Sequence, residues 1–282
     1  MKIIEGKASG IEDRIAVVTG GGQGLGAAIV KKFVNANWKC IILDNNLKMA
    51  HKLQNELGRS WVLRVIECDV ASTTQVDAAF HSIAEDYIKI DALINNAGVV
   101  RPSPSHEVED QDWLELLNIH MGGTMRVTRA AIGLLLASDS PTIVNISSVC
   151  AALGFPGRLS YNASKAGIES MTRTLATEWG ECGVRVNAVA PGFILTEASK
   201  AIYESKTADI KVRASMTTLG RLGEPSEVAE AVFWLSSDFS SYVTGQVLVV
   251  DGGFLIEGNT GPDSTYRSPE SIRSTVRIQP HS

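Results

Sequence analysis

Short apolar runs rich in β-branched residues recur along the chain, each followed by a turn and a stretch with helical periodicity. The runs are Ile15-Ala16-Val17-Val18-Thr19, Cys40-Ile41-Ile42-Leu43, Val62 to Cys68, Ala92-Leu93-Ile94, Thr142 to Ile146, Val184 to Val189 and Gln246 to Val250. Their length and lack of alternation predict strands buried on both faces. Helices are predicted from Ala27 to about Asn37, from an N-cap at Ser72 to about Asp86, and from Glu224-Pro225 to Ser236. Asp110 to Ala137 reads as helical with an interruption at Asn118 to Gly123, and Ala163 to Trp179 carries Ala166, Ile168, Met171, Leu175 and Trp179 at helical spacing. Parallel crossovers need covering helices, so this order predicts a single-domain α/β fold, a doubly wound parallel sheet with helices on both faces.

Two stretches break the alternation. Phe193 to Gly223 has no strong strand and is too long for an ordinary connection, so 193–223 is expected to be a substrate lid. Residues 258–282 are polar, with Pro262, Pro269 and Pro280 and no periodic face, and are expected to form a tail outside a domain spanning 1–257.

Composition narrows the function classes. The 282 residues are 44% hydrophobic with a mean hydropathy of +0.06, enough to bury a large core. A net charge of −5, without a Lys/Arg block, argues against nucleic acid and anionic membrane as partners. Cys40, Cys68, Cys150 and Cys182 are scattered, which points to a reducing compartment. Met1 to Arg14 has no signal-like apolar core and Ala130 to Ala137 is too short to span a bilayer, so a cytoplasmic protein is expected. The five histidines form no metal-binding spacing, and no metal is expected.

The candidate chemistry lies at strand ends. Gly20-Gly21-Gly22-Gln23-Gly24-Leu25-Gly26 stands between a strand and a helix, where glycines let the backbone approach a pyrophosphate seated on the helix N-terminus. Asp44 closes the second strand at about the distance from which a carboxylate reaches the adenosine ribose hydroxyls. Asn95-Asn96-Ala97-Gly98 ends the fourth strand, where amides can brace loops and a glycine allows close approach. Tyr161 and Lys165, four apart, share one helix face, and the preceding loop can bring Ser148 over them. Lowering a phenol from about 10 to near 7 takes roughly 4 kcal/mol, about what an ammonium some 4 Å away supplies at an effective dielectric of ~20. Tyr161 is then a general acid/base, Lys165 its tuner and Ser148 the partner of the substrate oxygen. Asn118 alone reads as a helix-kinking polar residue.

Thr19-Gly20-x-x-x-Gly24-x-Gly26, Asn95-Asn96-Ala97-Gly98, Ser148, Tyr161-x-x-x-Lys165 and Pro191-Gly192, in this order, resemble the short-chain dehydrogenase/reductase family from about Asp13 to Glu257. Leu219 to Pro225 and Val243 to Gly253 look like the branch with 3-oxoacyl thioester reductases and small alcohol dehydrogenases. The resemblance implies a Rossmann-type sheet and a homotetramer. Tyr161 becomes the acid/base, with Lys165 also binding the nicotinamide ribose and Ser148 orienting the substrate oxygen. Asn118 matches the residue that holds a water in a proton relay to Lys165. Gly20, Gln23, Gly24, Leu25, Gly26, Asp44, Asp69, Val70, Asn96, Ala97, Gly98, Pro191, Gly192, Ile194 and Thr196 would bind the cofactor, with Asp69-Val70 at the adenine and Ile194 and Thr196 at the carboxamide. Asp44, with neutral Gln23, Asn45 and Asn46 around it, makes NAD the expected cofactor and a secondary alcohol or ketone the expected substrate. The competing readings are an NADPH-dependent 3-oxoacyl thioester reductase and a non-catalytic dinucleotide sensor. Arg101 and Arg158, on the expected pocket wall, are candidate carboxylate binders.

Overall fold

Along β1 (Ile15–Thr19) successive side chains point to opposite faces of a sheet, and both faces are buried. Ala16 and Val18 join one core cluster, Ile15 and Val17 another. The structure, a computed structural model, describes residues 14–256 apart from 198 and 201–208. The expected tail, 258–282, and part of the expected lid lie outside the described residues.

The strands are β1, β2 (Lys39–Asp44), β3 (Val62–Glu67), β4 (Ala92–Asn95), β5 (Thr142–Ile146), β6 (Arg185–Pro191) and β7 (Val247–Val250). They form one seven-stranded sheet in the order β3-β2-β1-β4-β5-β6-β7, with every pair parallel. The order reverses between β1 and β4, and the crevice at that reversal is where such sheets bind ligands.

One face is covered by α1 (Gly24–Asn35), α2 (Leu47–Leu57) and α8 (Pro225–Ser236), which bury Ile29, Val30, Phe33, Leu53, Val228, Val232 and Leu235. The other is covered by α3 (Thr73–Asp86), α5 (Gly123–Leu135) and α6 (Leu159–Trp179), through Val76, Phe80, Ile83, Val127, Ala131, Leu135 and Ala176. Ser72 caps α3 as expected, its hydroxyl accepting from Gln75 N. Helix α2 has Asn46 as its N-cap, whose side chain accepts from Met49 N. Helix α6 begins at Leu159, so Tyr161 sits inside its first turn. The expected interruption after Asp110 is a π-helical turn, Asn118–Gly122, between α4 (Asp110–Leu117) and α5. A short helix α7 (Ile210–Ser215) lies in the long segment after β6, whose ends meet through a bridge between Ile194 and Gly223.

A buried polar chain ties the sheet to the helices beneath it. Asn95 Nδ2 donates to Thr128 Oγ1 on α5 and to Asn145 Oδ1 on β5, and Asn145 Nδ2 donates to Thr172 Oγ1 on α6, each at 2.9 Å. Asn145 is fully buried. Asn145→Ala leaves the Asn95 amide short of an acceptor and opens a cavity, so it should destabilise the fold by about 2–4 kcal/mol. A urea midpoint in Asn145→Ala within error of wild type would contradict this role.

Candidate active site

At the carboxyl end of β1 the chain turns through Gly20, at φ +62°, and enters α1. A Cβ on Gly26 would lie 1.9 Å from the Gly20 carbonyl oxygen, so helix and loop are closer than any side chain permits. Asn96 braces this crossing, its Nδ2 donating to the carbonyls of Thr19 and Gly20 at 2.9 and 3.0 Å. Gln23, at the N-cap of α1, makes no side-chain cap bond, and the first turn has no acidic residue. The helix N-terminus therefore presents its N–H groups uncapped, which suits a pyrophosphate.

A cleft of about 720 Å³ opens over this turn. It is lined by Gly20, Gly22 to Gly26, Asp44, Asp69, Val70, Asn96 to Gly98 and Thr196, so these expected cofactor residues share one site. Asp44 is 5% exposed, and its carboxylate accepts from Gly22 N and from Asn46 N, both at 2.8 Å. The glycine loop thus fixes the carboxylate at the cleft wall. Pro191 and Gly192 lie at the end of β6, with Gly192 N donating to Val250 O. Ile194 lines a separate cavity of about 100 Å³ beside Phe193, Leu219 and Val250. Two bases that local sequence did not place near Asp44, Lys31 and Lys52, reach the cleft from α1 and α2. Lys31 is paired with Glu56 at 2.7 Å.

Ser148, Tyr161 and Lys165, which are not among the residues lining this cleft, come together at the carboxyl end of β5. Lys165 Nζ donates to Ile146 O at 2.7 Å and sits 5.4 Å from the centroid of the Tyr161 ring. The Ser148 hydroxyl faces the phenol closely enough to lower its pKa, and Arg158 lowers it further. Burial outweighs both and pushes Tyr161 up to about 12, with the Cys150 thiol adding to the rise. Burial also pulls Lys165 down to about 8. In the free protein burial thus opposes the expected lowering of Tyr161 by Lys165. At neutral pH the pair is an ammonium beside a neutral phenol.

Asn118 is not brought to this centre. Its Oδ1 and its carbonyl both accept from Arg126, its carbonyl also accepts from Gly123 N, and its Nδ2 donates to Ala71 O. These contacts engage the amide and the carbonyl that the expected relay through Asn118 would use. The residue that reaches the centre is His120, 1% exposed, whose ring meets Tyr161 edge-on with centroids 5.3 Å apart. A Cβ on Gly98 would come within 2.4 Å of His120 Cε1, so the glycine after Asn95-Asn96-Ala97 admits this ring. The signal for His120 was its place, four after buried Leu116, on the inward stripe of α4 and α5. Arg101 is bound to Glu115 through both carboxylate oxygens, at 2.6 and 2.7 Å, and is not free for a substrate carboxylate. Arg158 instead stands over the Phe155 ring.

A family model described as enoyl-(acyl carrier protein) reductase matches residues 20–255. The chain belongs to the short-chain dehydrogenase/reductase family. It is 35% identical over 253 residues to a 3-oxoacyl-[acyl-carrier-protein] reductase of Thermotoga maritima, covering 87% of this chain and 99% of the relative. It is 34% identical over 248 residues to a D-threitol dehydrogenase of Mycolicibacterium smegmatis, covering 88% and 95%. The crystal structure of gox2181 superposes with a TM-score of 0.82 at 33% identity, covering 87% of this chain and 97% of that one. The short-chain dehydrogenase/reductase family binds nicotinamide dinucleotides, and the uncapped turn at Gly20–Gly26 fits such a group.

In this short-chain dehydrogenase/reductase, burial and then the Lys165 charge hold His120 down to about 4. Between about 6.5 and 4 the unfolded chain takes a proton that the folded chain refuses, so stability falls as pH falls through that window. The full effect is about 3 kcal/mol. Urea unfolding at pH 7 and at pH 4.5 should show a smaller acid loss in His120→Phe than in wild type. Equal losses would show that His120 is not held neutral.

Proposed function

We propose that this oxidoreductase transfers a hydride between NAD(H) and a secondary alcohol or its ketone. The observation that carries the reading is the meeting of Tyr161, Ser148 and Lys165 at the carboxyl end of β5, on the same edge of the sheet as the cleft whose wall holds the Asp44 carboxylate. The dinucleotide would lie along Gly20–Gly26 with its adenosine ribose at Asp44, and when bound it supplies or accepts the hydride. Tyr161, neutral at pH 7, acts as general acid toward a ketone oxygen, and Ser148 orients that oxygen. A phenolate formed in this way would face the Lys165 ammonium. At about 5 Å and an effective dielectric of about 20, the attraction is roughly 3 kcal/mol. Lys165 also binds the nicotinamide ribose. In the reverse direction the same phenolate accepts the alcohol proton. Phe155, Phe193 and Phe254 form one aromatic cluster, with Phe155 in the loop between Ser148 and Tyr161, which favours a substrate with an apolar body.

NAD is favoured over NADP because a 2′-phosphate would face the fixed Asp44 carboxylate in a partly desolvated wall, and like charges so placed cost several kcal/mol. A second reading, an NADPH-dependent 3-oxoacyl thioester reductase, is favoured by one observation, the presence of Lys52 at the cleft. A homotetramer pairing across the β7–α8 edge suits the exposed Trp234, Phe239, Tyr242 and Val249 there. A cytoplasmic setting suits the four unpaired cysteines.

Two experiments test this reading. Tyr161→Phe removes only the hydroxyl and should lower kcat by at least ~10²-fold with dinucleotide affinity little changed. A folded Tyr161→Phe enzyme with wild-type turnover would sink the acid/base role. For the cofactor, kcat/KM with NAD should exceed that with NADP by ~10²-fold or more, and Asp44→Ala with Asn45→Arg should shift the preference toward NADP. Wild-type enzyme that uses NADP equally well would favour Lys52 as a phosphate partner and the thioester reading.

A further inference from the structure

His120 has a fixed job for one ring nitrogen and no partner for the other. Nε2 lies 2.8 Å from the Val99 carbonyl oxygen and 3.4 Å from Val99 N, and the shorter contact places the hydrogen of the neutral ring on Nε2, donating to Val99 O. Nδ1 is then a bare lone pair, and it is a buried atom with no hydrogen-bond partner among the described residues. An unpaired acceptor at that depth costs free energy comparable to a lost hydrogen bond. The nearby group that needs an acceptor is Lys165. It is 4% exposed, and its one described hydrogen bond, to Ile146 O, leaves two ammonium hydrogens. Its charge is close enough to be felt at the His120 ring, and both side chains pack on the Tyr161 ring.

From these placements we infer that His120 is the positioning residue of the acid/base pair, its Nδ1 accepting the hydrogen-bond chain that begins on Lys165 Nζ, in the place where sequence pattern pointed to Asn118. The π-helical turn makes this arrangement. It turns Asn118 toward Arg126 and Ala71 and brings the next polar residue, His120, under Tyr161. A neutral acceptor beside a buried ammonium favours the charged form of the lysine, which the phenolate of the reaction requires. The other titratable or charged groups around the pair are Tyr161 on α6, Cys150 after β5 and Arg158 at the start of α6. The inference rests on the acid/base reading of Tyr161 and Lys165 for its purpose, but its geometry is tested without turnover.

Asparagine and glutamine separate the two nitrogens. An amide at the end of a glutamine side chain reaches the position of Nε2 and can still donate to Val99 O, whereas an asparagine amide reaches only the position of Nδ1. The Lys165 midpoint can be read in the ligand-free protein by carbon-13 NMR of labelled lysine, with the signal assigned by its loss in Lys165→Met. His120→Gln should lower that midpoint by about one unit or more and His120→Asn by less than about half a unit. With substrate and dinucleotide, His120→Gln should lower kcat about ten-fold with little change in KM for the dinucleotide. A role confined to holding Val99 predicts the reverse order of damage and no movement of the Lys165 midpoint, and either result overturns the inference. Wild-type protein gives an independent check if a variant fails to fold. Histidine nitrogen-15 spectra should show His120 protonated at Nε2 with Nδ1 as an acceptor, and the opposite tautomer overturns it. Absence of turnover with any alcohol or ketone would count against the hydride-transfer reading alone.

Discussion

A parallel sheet buried on both faces has no way to return the chain except over a covering helix. Each crossover from β1 to β7 therefore starts at the carboxyl edge of the sheet, and every connection that can carry chemistry is gathered there. The glycine turn after β1, Asp44 at the end of β2, Asn96 after β4, Ser148 after β5 and Gly192 after β6 belong to different parts of the chain. They become neighbours because the strands are in register and run the same way.

The two ends of the site differ in what holds them. The cofactor end is set by backbone proximity, with Gly26 against the Gly20 carbonyl and Asn96 joining the two strands' loops. The acid/base end is set by burial. Tyr161, Lys165 and His120 lie where burial disfavours the charged form of each; neighbouring charge adds to the shift at Tyr161 and His120, whereas at Lys165 Cys150 opposes it. The free protein thus holds a proton on the phenol at neutral pH.

The polar chain through Asn95 and Asn145 couples the two ends. Asn95 precedes the residue that braces the glycine turn, and Asn145 lies one residue before Ile146, whose carbonyl holds Lys165. The amide pair ties β4 to β5 at the level where one strand leads to Asn96 and the glycine turn and the other to Ser148 and Lys165.

The chain pattern by itself determined the sheet, because runs such as Ile15–Thr19 and Thr142–Ile146 are too apolar and β-branched to be anything but buried strands. The glycine turn, the Ser72 cap and the one-turn separation of Tyr161 and Lys165 were equally legible, since each rests on residues within a few positions of one another. What needed tertiary structure were features set by distant or rotated elements. Lys31 and Lys52 reach the cleft from two helices. Glu115 takes Arg101 out of the pocket wall. Lys165 was expected to lower Tyr161, but a pairwise charge argument carries no burial, and burial acts on the phenol in the opposite direction. That His120 packs against Tyr161 while Asn118 bonds Arg126 and Ala71 has the most specific cause. A π-turn changes the angular register of a helix, so spacing along the chain cannot say which of two nearby polar residues faces inward until the turn itself is located.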